Sequence, residues 1–481
     1  MPHSWKKPDV VPPLGRALHF TPADLDDVRE YSRLLFRFLH EYQWLIDAFV
    51  LDFFLRNHWE LVPRGWSSLL DSVTIPQIAA FIESRPRFSR PHKVAPLSFL
   101  CFVRLCEVLP TGRRSVVRAS RAEMDNYAFE DTRYPLTSAF KRHMKGKKRH
   151  EIGRLAKFAA SLFEEARPTG VSHVLDVGGG QGHLSRLLSF GFGLHVATLD
   201  AEGALVDKAQ EFDGKVTRDL GRAKYRERPR PGSAVRQEEF APPVHLERTI
   251  GVATAAEDVE FVTRTAWQDP SVQFGLIGLH TCGDLGPTLF RLFRESPQVK
   301  ALVSVGCCYH KMHHLFPLSE ALRGEQLSYE AKEVACHSIE IYATKLLEED
   351  AEKGRIHAFR AALEVLIDRY NPELKHTALA SVKYTSGLTF EEYAAKALKK
   401  VNHKIPIEEF GSAEIARYLA QWMHVATFFA LRLCMAPTIE SLLQMDRVMY
   451  LLEAGFDVDY VPLFEPTVSP RCHVIAATKS C

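Results

Sequence analysis

Three short stretches hold residues whose types and spacing could do chemistry. The first is Val174-Leu-Asp-Val-Gly-Gly-Gly-Gln-Gly182, in which Asp176 stands two residues before glycines on alternate positions, Gly178, Gly180 and Gly182. The second is Phe274-Gly-Leu-Ile-Gly-Leu-His-Thr-Cys-Gly-Asp284, and the third is Ala301-Leu-Val-Ser-Val-Gly-Cys-Cys-Tyr-His310. Each is an apolar run that breaks into polar or glycine residues. That is how a buried strand reads when it ends at a functional turn.

The spacing of the first stretch departs from Gly-x-Gly-x-x-Gly, whose glycines let backbone amides approach a pyrophosphate. An acid beside the turn would repel a pyrophosphate. It would suit the sulfonium and α-ammonium of S-adenosyl-L-methionine, whose single carboxylate can face the helix amides that begin near Gly182. A second acid for the ribose hydroxyls is expected after the next strand. Leu194-His-Val-Ala-Thr-Leu199 is followed by Asp200, 22 residues after Gly178. The expected cofactor is therefore S-adenosyl-L-methionine, held by Asp176, Gly178, Gly180, Gly182 and Asp200.

If the other two stretches are the fourth and fifth strands of an open α/β sheet, their ends lie at the carboxyl edge, where such sheets bind ligands. Methyl transfer is an in-line displacement that needs an aligned acceptor, exclusion of water and often a base. His280, Asp284 and His310 are candidate bases, Cys308 is a further catalytic candidate, and His280 also falls within the cofactor set. Cys282 and Cys308 have a second reading as small packing residues. A metal reading competes, because two His and three Cys are soft ligands, but His-x-Cys and Cys-Cys-x-His are not usual knuckle spacings. No metal is expected.

Those strand ends need elements to position them. Leu184, Leu187 and Leu188 recur at helical spacing after the glycine turn, which makes a strand, turn and helix. Glu151 to Phe163 reads as an amphipathic helix leading into the first strand, preceded by the densest basic run, Lys141-Arg-His-Met-Lys-Gly-Lys-Lys-Arg-His150. That run is either a solvated linker or a dock for an acidic substrate. Arg222 to Arg236, a second basic stretch, reads as a surface loop.

Upstream, a capped helix begins at Thr21-Pro-Ala-Asp, with Leu34, Leu35, Phe38, Leu39, Tyr42, Leu45 and Ile46 on its apolar positions. Helical patterns follow at Ile75 to Ile82 and Pro96 to Leu109. Downstream, Ile439 to Ala454, Phe456 to Phe464 and Cys472 to Thr478 supply a closing helix and strand hairpin. The expected fold class is α/β: a class I Rossmann-like methyltransferase sheet with an N-terminal helical domain (1–140), a first core part (141–319), a helical insertion (320–437), and the closing helix and hairpin (438–481).

Composition limits the function classes. A length of 481 residues allows two or three units, and 46% hydrophobic with 25% charged residues is ordinary globular composition. A formal charge of +2 carries no DNA signature, so a nucleic-acid partner would be met by a local patch. Nine cysteines, an odd number with two adjacent, fit reduced thiols, and no secretory pattern is visible; a cytoplasmic or nuclear location is expected. Met423 to Leu443 is the best membrane candidate, but His424, Arg432, Pro437 and Glu440 interrupt it, and it reads as a buried helix.

Asp176-Val-Gly-Gly-Gly-Gln-Gly-His-Leu-Ser185, His280-Thr-Cys-Gly-Asp-Leu285, Gly306-Cys-Cys-Tyr-His-Lys311 and Ser469-Pro-Arg with Ala477-Thr-Lys479 together resemble the methyltransferase-like protein 25 family. The resemblance extends over nearly the whole chain and implies an S-adenosyl-L-methionine-dependent methyltransferase fold. The strand ends are also similar to the His-x-Cys-Gly and Cys-Cys-His-His motifs of tRNA acceptor-stem 2′-O-methyltransferases, from which Tyr309 departs. The base-stacking motif of adenine dimethylases is replaced by His280-Thr-Cys-Gly283. The expected activity is methyl transfer to RNA or protein; the alternative is a non-catalytic binding or scaffold subunit that keeps the fold. Oligomeric state is open.

Overall fold

The computed structural model describes residues 17–82, 94–113, 144–165, 171–226, 241–251, 254–348, 351–377 and 379–479. Residues 141–143 of the basic run and the Arg222 to Arg236 stretch beyond Arg226 lie outside them, as do residues 1–16. The chain divides into two compact units. One holds Met1–Ser32, Gly112–Gln326 and Leu443–Cys481, and the other Arg33–Thr111 and Leu327–Leu442.

The first unit is built on one eight-stranded sheet. Its strands are β1 (Leu18–Phe20), β2 (His173–Val177), β3 (His195–Asp200), β4 (Val244–Glu247), β5 (Phe274–Thr281), β6 (Val299–Gly306), β7 (Val458–Pro462) and β8 (His473–Thr478). The spatial order is β1-β7-β8-β6-β5-β2-β3-β4. Neighbours from β6 through β4 pair in parallel, whereas β8 runs antiparallel to both β6 and β7. A central sheet of parallel strands closed by one reversed hairpin strand is a Rossmann-like methyltransferase sheet, as expected from the sequence. β1 adds an antiparallel edge beside β7.

Central parallel strands are covered on both faces and so are apolar throughout. Leu276 and Ile277 of β5, and Leu302, Val303 and Val305 of β6, have no exposed surface. One face packs against the helix Gly146–Glu165, which turns Ile152, Leu155, Ala156, Ala159 and Phe163 toward Val174, Ile277, Val303 and Val474. Gly275 is where that helix comes close, since a Cβ there would lie 2.5 Å from the Phe163 ring.

The closing helix, Ala436–Leu452, anchors the loop after β6: Asp446 accepts hydrogen bonds from the Leu318 and Ser319 amides at 2.8 and 2.9 Å. The stretch Trp422–Leu452 is long and apolar enough to cross a membrane, and 94% of its most apolar window is buried inside the protein. Its apolarity is that of a core helix.

The second unit is helical. Residues read as part of an N-terminal helical domain and residues read as part of an insertion cluster within this one unit. Its centre is Arg355–Tyr370, with Ala358, Ala361, Ala362, Leu366 and Ile367 buried. Buried Asp52 is paired with His376 at 2.8 Å, and Arg432 donates to the Ile46 carbonyl at 3.0 Å. Among the described residues of this unit, aromatics pack on one another, as Phe53 with Phe428 and Trp66 with Phe99.

Candidate functional site

The carboxyl ends of β2, β3, β5 and β6 share one edge because these strands are parallel. At β2 the turn is enforced by backbone conformation: Gly178, Gly180 and Gly182 have φ of 72°, 56° and 67°, a region side chains with a Cβ rarely enter. The three have different surroundings. A Cβ on Gly182 would lie 2.6 Å from the His245 ring, whereas one on Gly180 would meet nothing within 4 Å. Gly182 is packed and Gly180 opens onto free space.

Asp200, at the end of β3, accepts from the Gly180 amide (2.8 Å) and the Glu202 amide (3.0 Å). It therefore ties the turn to the next strand while each oxygen keeps a second acceptor direction. Asp176 is buried, and its Oδ2 accepts from the Ser185 hydroxyl. Burial pushes its carboxyl up to about 6, against the opposing effect of Ser185. Its carboxylate faces the start of the following helix rather than solvent.

Beneath the turn lies a polar network that periodicity alone does not signal. Buried Arg186 meets Asp213 Oδ1 at 2.5 Å and donates to the carbonyls of Gln181 and Ala209 at 3.1 and 3.0 Å. His245 bridges Asp213 Oδ2 and Thr198 Oγ1, at 2.8 Å each. The glycine turn, β3, β4 and the helix Gly203–Arg226 are thus tied through one buried carboxylate.

At the end of β5, His280 has φ of 63° and sits where the β5–β6 register shifts between Leu279 and Thr281. A non-glycine residue in this region is strained, and such strain concentrates at functional positions. The imidazole Nε2 lies 3.0 Å from Glu151 Oε1, and the Ser469 hydroxyl donates to the same oxygen. Lys147 Nζ is 3.6 Å from it. Burial opposes ionisation of Glu151, but the His280 bond and charge, with Ser469 and Lys147, bring the carboxyl below its ordinary value. His280 Nδ1 is buried and has no hydrogen-bond partner among the described residues.

Cys282 follows His280 by two residues, and its Sγ converges with those of Cys307 and Cys308, all within 4.8 Å of one another. The hydrogen bond from Cys307 holds the Cys282 thiol down to about 5 despite burial, with Cys308 adding to the effect; Cys307 and Cys308 are raised in turn. Asp284 faces elsewhere. Its carboxylate accepts from the amides of His313, His314 and Leu315 at 3.0–3.2 Å, so it holds the loop after β6. His310 is partly buried in the short turn Tyr309–Lys311. Tyr309 is buried, with its ring beside the Arg447 and Arg471 guanidinium groups and its hydroxyl 3.3 Å from Gln444.

The structure thus brings Cys282, Cys307 and Cys308 together, pairs His280 with Glu151, and directs Asp284 to a backbone loop. Glu151 escaped sequence reasoning because it is 129 residues from His280. Its only signal was its place directly after the basic run. In that run His150 is buried and neutral: its Nε2 accepts from the Glu465 amide at 2.9 Å, and burial, aided by Arg154, lowers it to about 4. Lys145, Lys147 and Lys148 remain exposed.

The strand order, the reversed hairpin strand and the acid-and-glycine turn define a methyltransferase domain of the Rossmann-like class. Residues 147–314 match the family model described as "Methyltransferase domain". The chain is similar to the probable methyltransferase-like protein 25 of Mus musculus, with 31% identity over 228 residues, 43% of this chain and 38% of that protein. The protein of the same name from Homo sapiens is 30% identical over 229 residues, 42% of this chain and 36% of its own length. The similarity to methyltransferase-like protein 25 is thus found over 43% of this chain rather than nearly the whole of it, and the chain spans less than two fifths of the length of the curated relatives it matches.

Proposed function

We propose that this chain is an S-adenosyl-L-methionine-dependent methyltransferase whose acceptor is RNA. The observation that carries the reading is the shared carboxyl edge, with the open Gly180 turn and Asp200 at the ends of β2 and β3, and with strained His280 of the adjoining strand paired to Glu151 of the covering helix. S-adenosyl-L-methionine fits these residues better than a pyrophosphate does. The acids Asp176 and Asp200 flank the turn, and Arg186, the cation beside it, is turned inward on Asp213. When bound, the cofactor supplies an electrophilic methyl group for in-line displacement.

The roles of the chain's own residues follow from their partners. Asp200 has acceptor directions left for ribose hydroxyls, and Gly180 leaves room against its backbone. His280, with Nε2 held on Glu151, stands at the edge as the base for a proton from the substrate. Glu151 and Ser469 orient the ring, and Asp284 positions the loop that carries His310 toward His313. Cys308 and His310 flank the same edge.

RNA is favoured over protein by the three exposed lysines in and just before the first turn of Gly146–Glu165, whose next turn holds Glu151 against His280. They place positive charge within one helical turn of the edge, where a phosphate backbone would lie.

The test is calorimetric titration of purified protein with S-adenosyl-L-methionine and S-adenosyl-L-homocysteine, followed by labelled-methyl transfer to RNA and protein fractions. Binding that is weakened in Asp200→Ala, with label entering RNA, is the expected result. A correctly folded protein that binds neither compound would overturn the enzyme reading in favour of a scaffold role. Label entering protein alone would overturn the RNA assignment.

A further inference from the structure

The three thiols at the ends of β5 and β6 carry an inference of their own. In a strand, consecutive side chains point to opposite faces. Cys307 and Cys308 are consecutive, yet their sulfurs lie 3.6 Å apart, because the chain leaves β6 at Gly306 and turns into Tyr309–Lys311. Cys282 joins them from the neighbouring strand, where Thr281 stands opposite Gly306 in register. A tetrahedral zinc ion with Zn–S bonds of about 2.3 Å holds its sulfurs about 3.8 Å apart. The observed separations, none above 4.8 Å, are within a small side-chain adjustment of that arrangement.

The backbone around the thiols is held rigidly. The Gly283 amide donates to the Cys308 carbonyl at 3.2 Å, and a Cβ at Gly283, whose φ is 59°, would lie 2.5 Å from the Lys311 carbonyl oxygen. Behind Gly306 there is equally little room, since a Cβ would approach Arg447 and Tyr309 to 2.8 Å. Asp284 fixes the loop beyond through three amides. Thiols converging from two strands, on loops locked to each other, are what a preformed soft-metal site requires.

We propose that Cys282, Cys307 and Cys308 bind one zinc ion as three thiolates and leave a fourth position open at the carboxyl edge. Each thiol proton still present is released to solvent as its Zn–S bond forms, and no electron is transferred. Three protein ligands with the fourth position open is the pattern of a zinc site that exchanges a ligand, as opposed to a closed structural site with four. The inference rests on thiol geometry and does not depend on methyl transfer, so loss of cofactor binding leaves it standing.

Full-length protein, purified under a non-thiol reductant without chelators or metal-affinity resin, would be exchanged with Zn2+, freed of excess metal and analysed by plasma mass spectrometry. The expected result is about one zinc per chain, with retention lowered at least about tenfold in Cys282→Ser, Cys307→Ser and Cys308→Ser. The exposed Cys101→Ser control keeps its zinc. Should a site variant fail to fold, Co2+ substitution in the unmodified protein gives a separate readout: intense tetrahedral ligand-field bands together with thiolate-to-cobalt charge-transfer absorption. Folded protein that retains no zinc and shows no such bands, or zinc retained by all three site variants, overturns the proposal.

Discussion

The pairing of His280 with Glu151 shows how much of this site depends on single contacts. His280 stands at a strand end where a reader of the sequence looks for it, but its strained φ of 63° and its carboxylate partner arise only when the helix Gly146–Glu165 docks on the sheet. Replacing Glu151 with Gln keeps the shape and removes the charge that orients the ring. The expected outcome is a 10- to 100-fold loss in labelled-methyl turnover, roughly that of a positioning partner, with cofactor affinity by calorimetry little changed. His280→Ala and His310→Ala should likewise reduce turnover more than cofactor affinity. Equal losses in both quantities would make these residues structural. Asp284→Asn retains one acceptor oxygen for the loop amides and should lower turnover less than Asp284→Ala does, because Asp284 holds the amides of His313, His314 and Leu315.

At the scale of elements, the glycine turn separates packing from binding within five residues. Gly182→Ala combines left-handed strain with a Cβ 2.6 Å from the His245 ring and should lower stability by about 2 kcal/mol or more, read as a shift in the urea midpoint. Gly180→Ala meets no neighbour and should cost only the backbone strain, about 1 kcal/mol, while weakening cofactor binding. The network beneath the turn makes a further prediction. Asp213→Ala strands Arg186 and removes a partner of His245, and loss of one member of a buried pair costs about 3–5 kcal/mol. A thermal midpoint equal to that of the unmodified protein would show the network to be dispensable.

At the scale of the whole molecule, a formal charge of +2 conceals a local arrangement. If Lys145, Lys147 and Lys148 meet phosphates, converting all three to Gln should reduce the slope of log affinity against log salt by about 2 for a single-stranded RNA. Buried ionisable groups set the acid response. Asp176 and Asp446 are raised by burial to about 6, so the folded state holds more protons than the unfolded chain between about pH 4 and 6. Their contribution favours folding at low pH and is lost as pH rises through that window. His150, lowered to about 4, acts in the opposite sense: its contribution is present above pH 6.5 and is lost as pH falls toward 4. Asp176→Asn, which keeps an acceptor for Ser185, should therefore raise the thermal midpoint at pH 7.5, by up to about 3 kcal/mol in stability, with the gain vanishing near pH 4.

What the sequence by itself determined is what local chemistry encodes. Asp176, the alternating glycines and Asp200 specify a strand, turn and strand without reference to anything distant, since left-handed φ values and helical or extended periodicity are properties of neighbours in the chain. The apolar runs at 274–281 and 301–306, and the closing helix with its hairpin, were legible for the same reason. Only the tertiary structure decided which strand-end side chains face one another. Glu151 meets His280 across 129 residues, Asp213 joins Arg186 to His245, and three thiols from two strands converge, while Asp284 bonds to a loop 29 to 31 residues away. These contacts follow from strand order and from which helix covers which face of the sheet. Burial on that scale is settled by the packing of the whole unit, and no spacing within a single stretch records it.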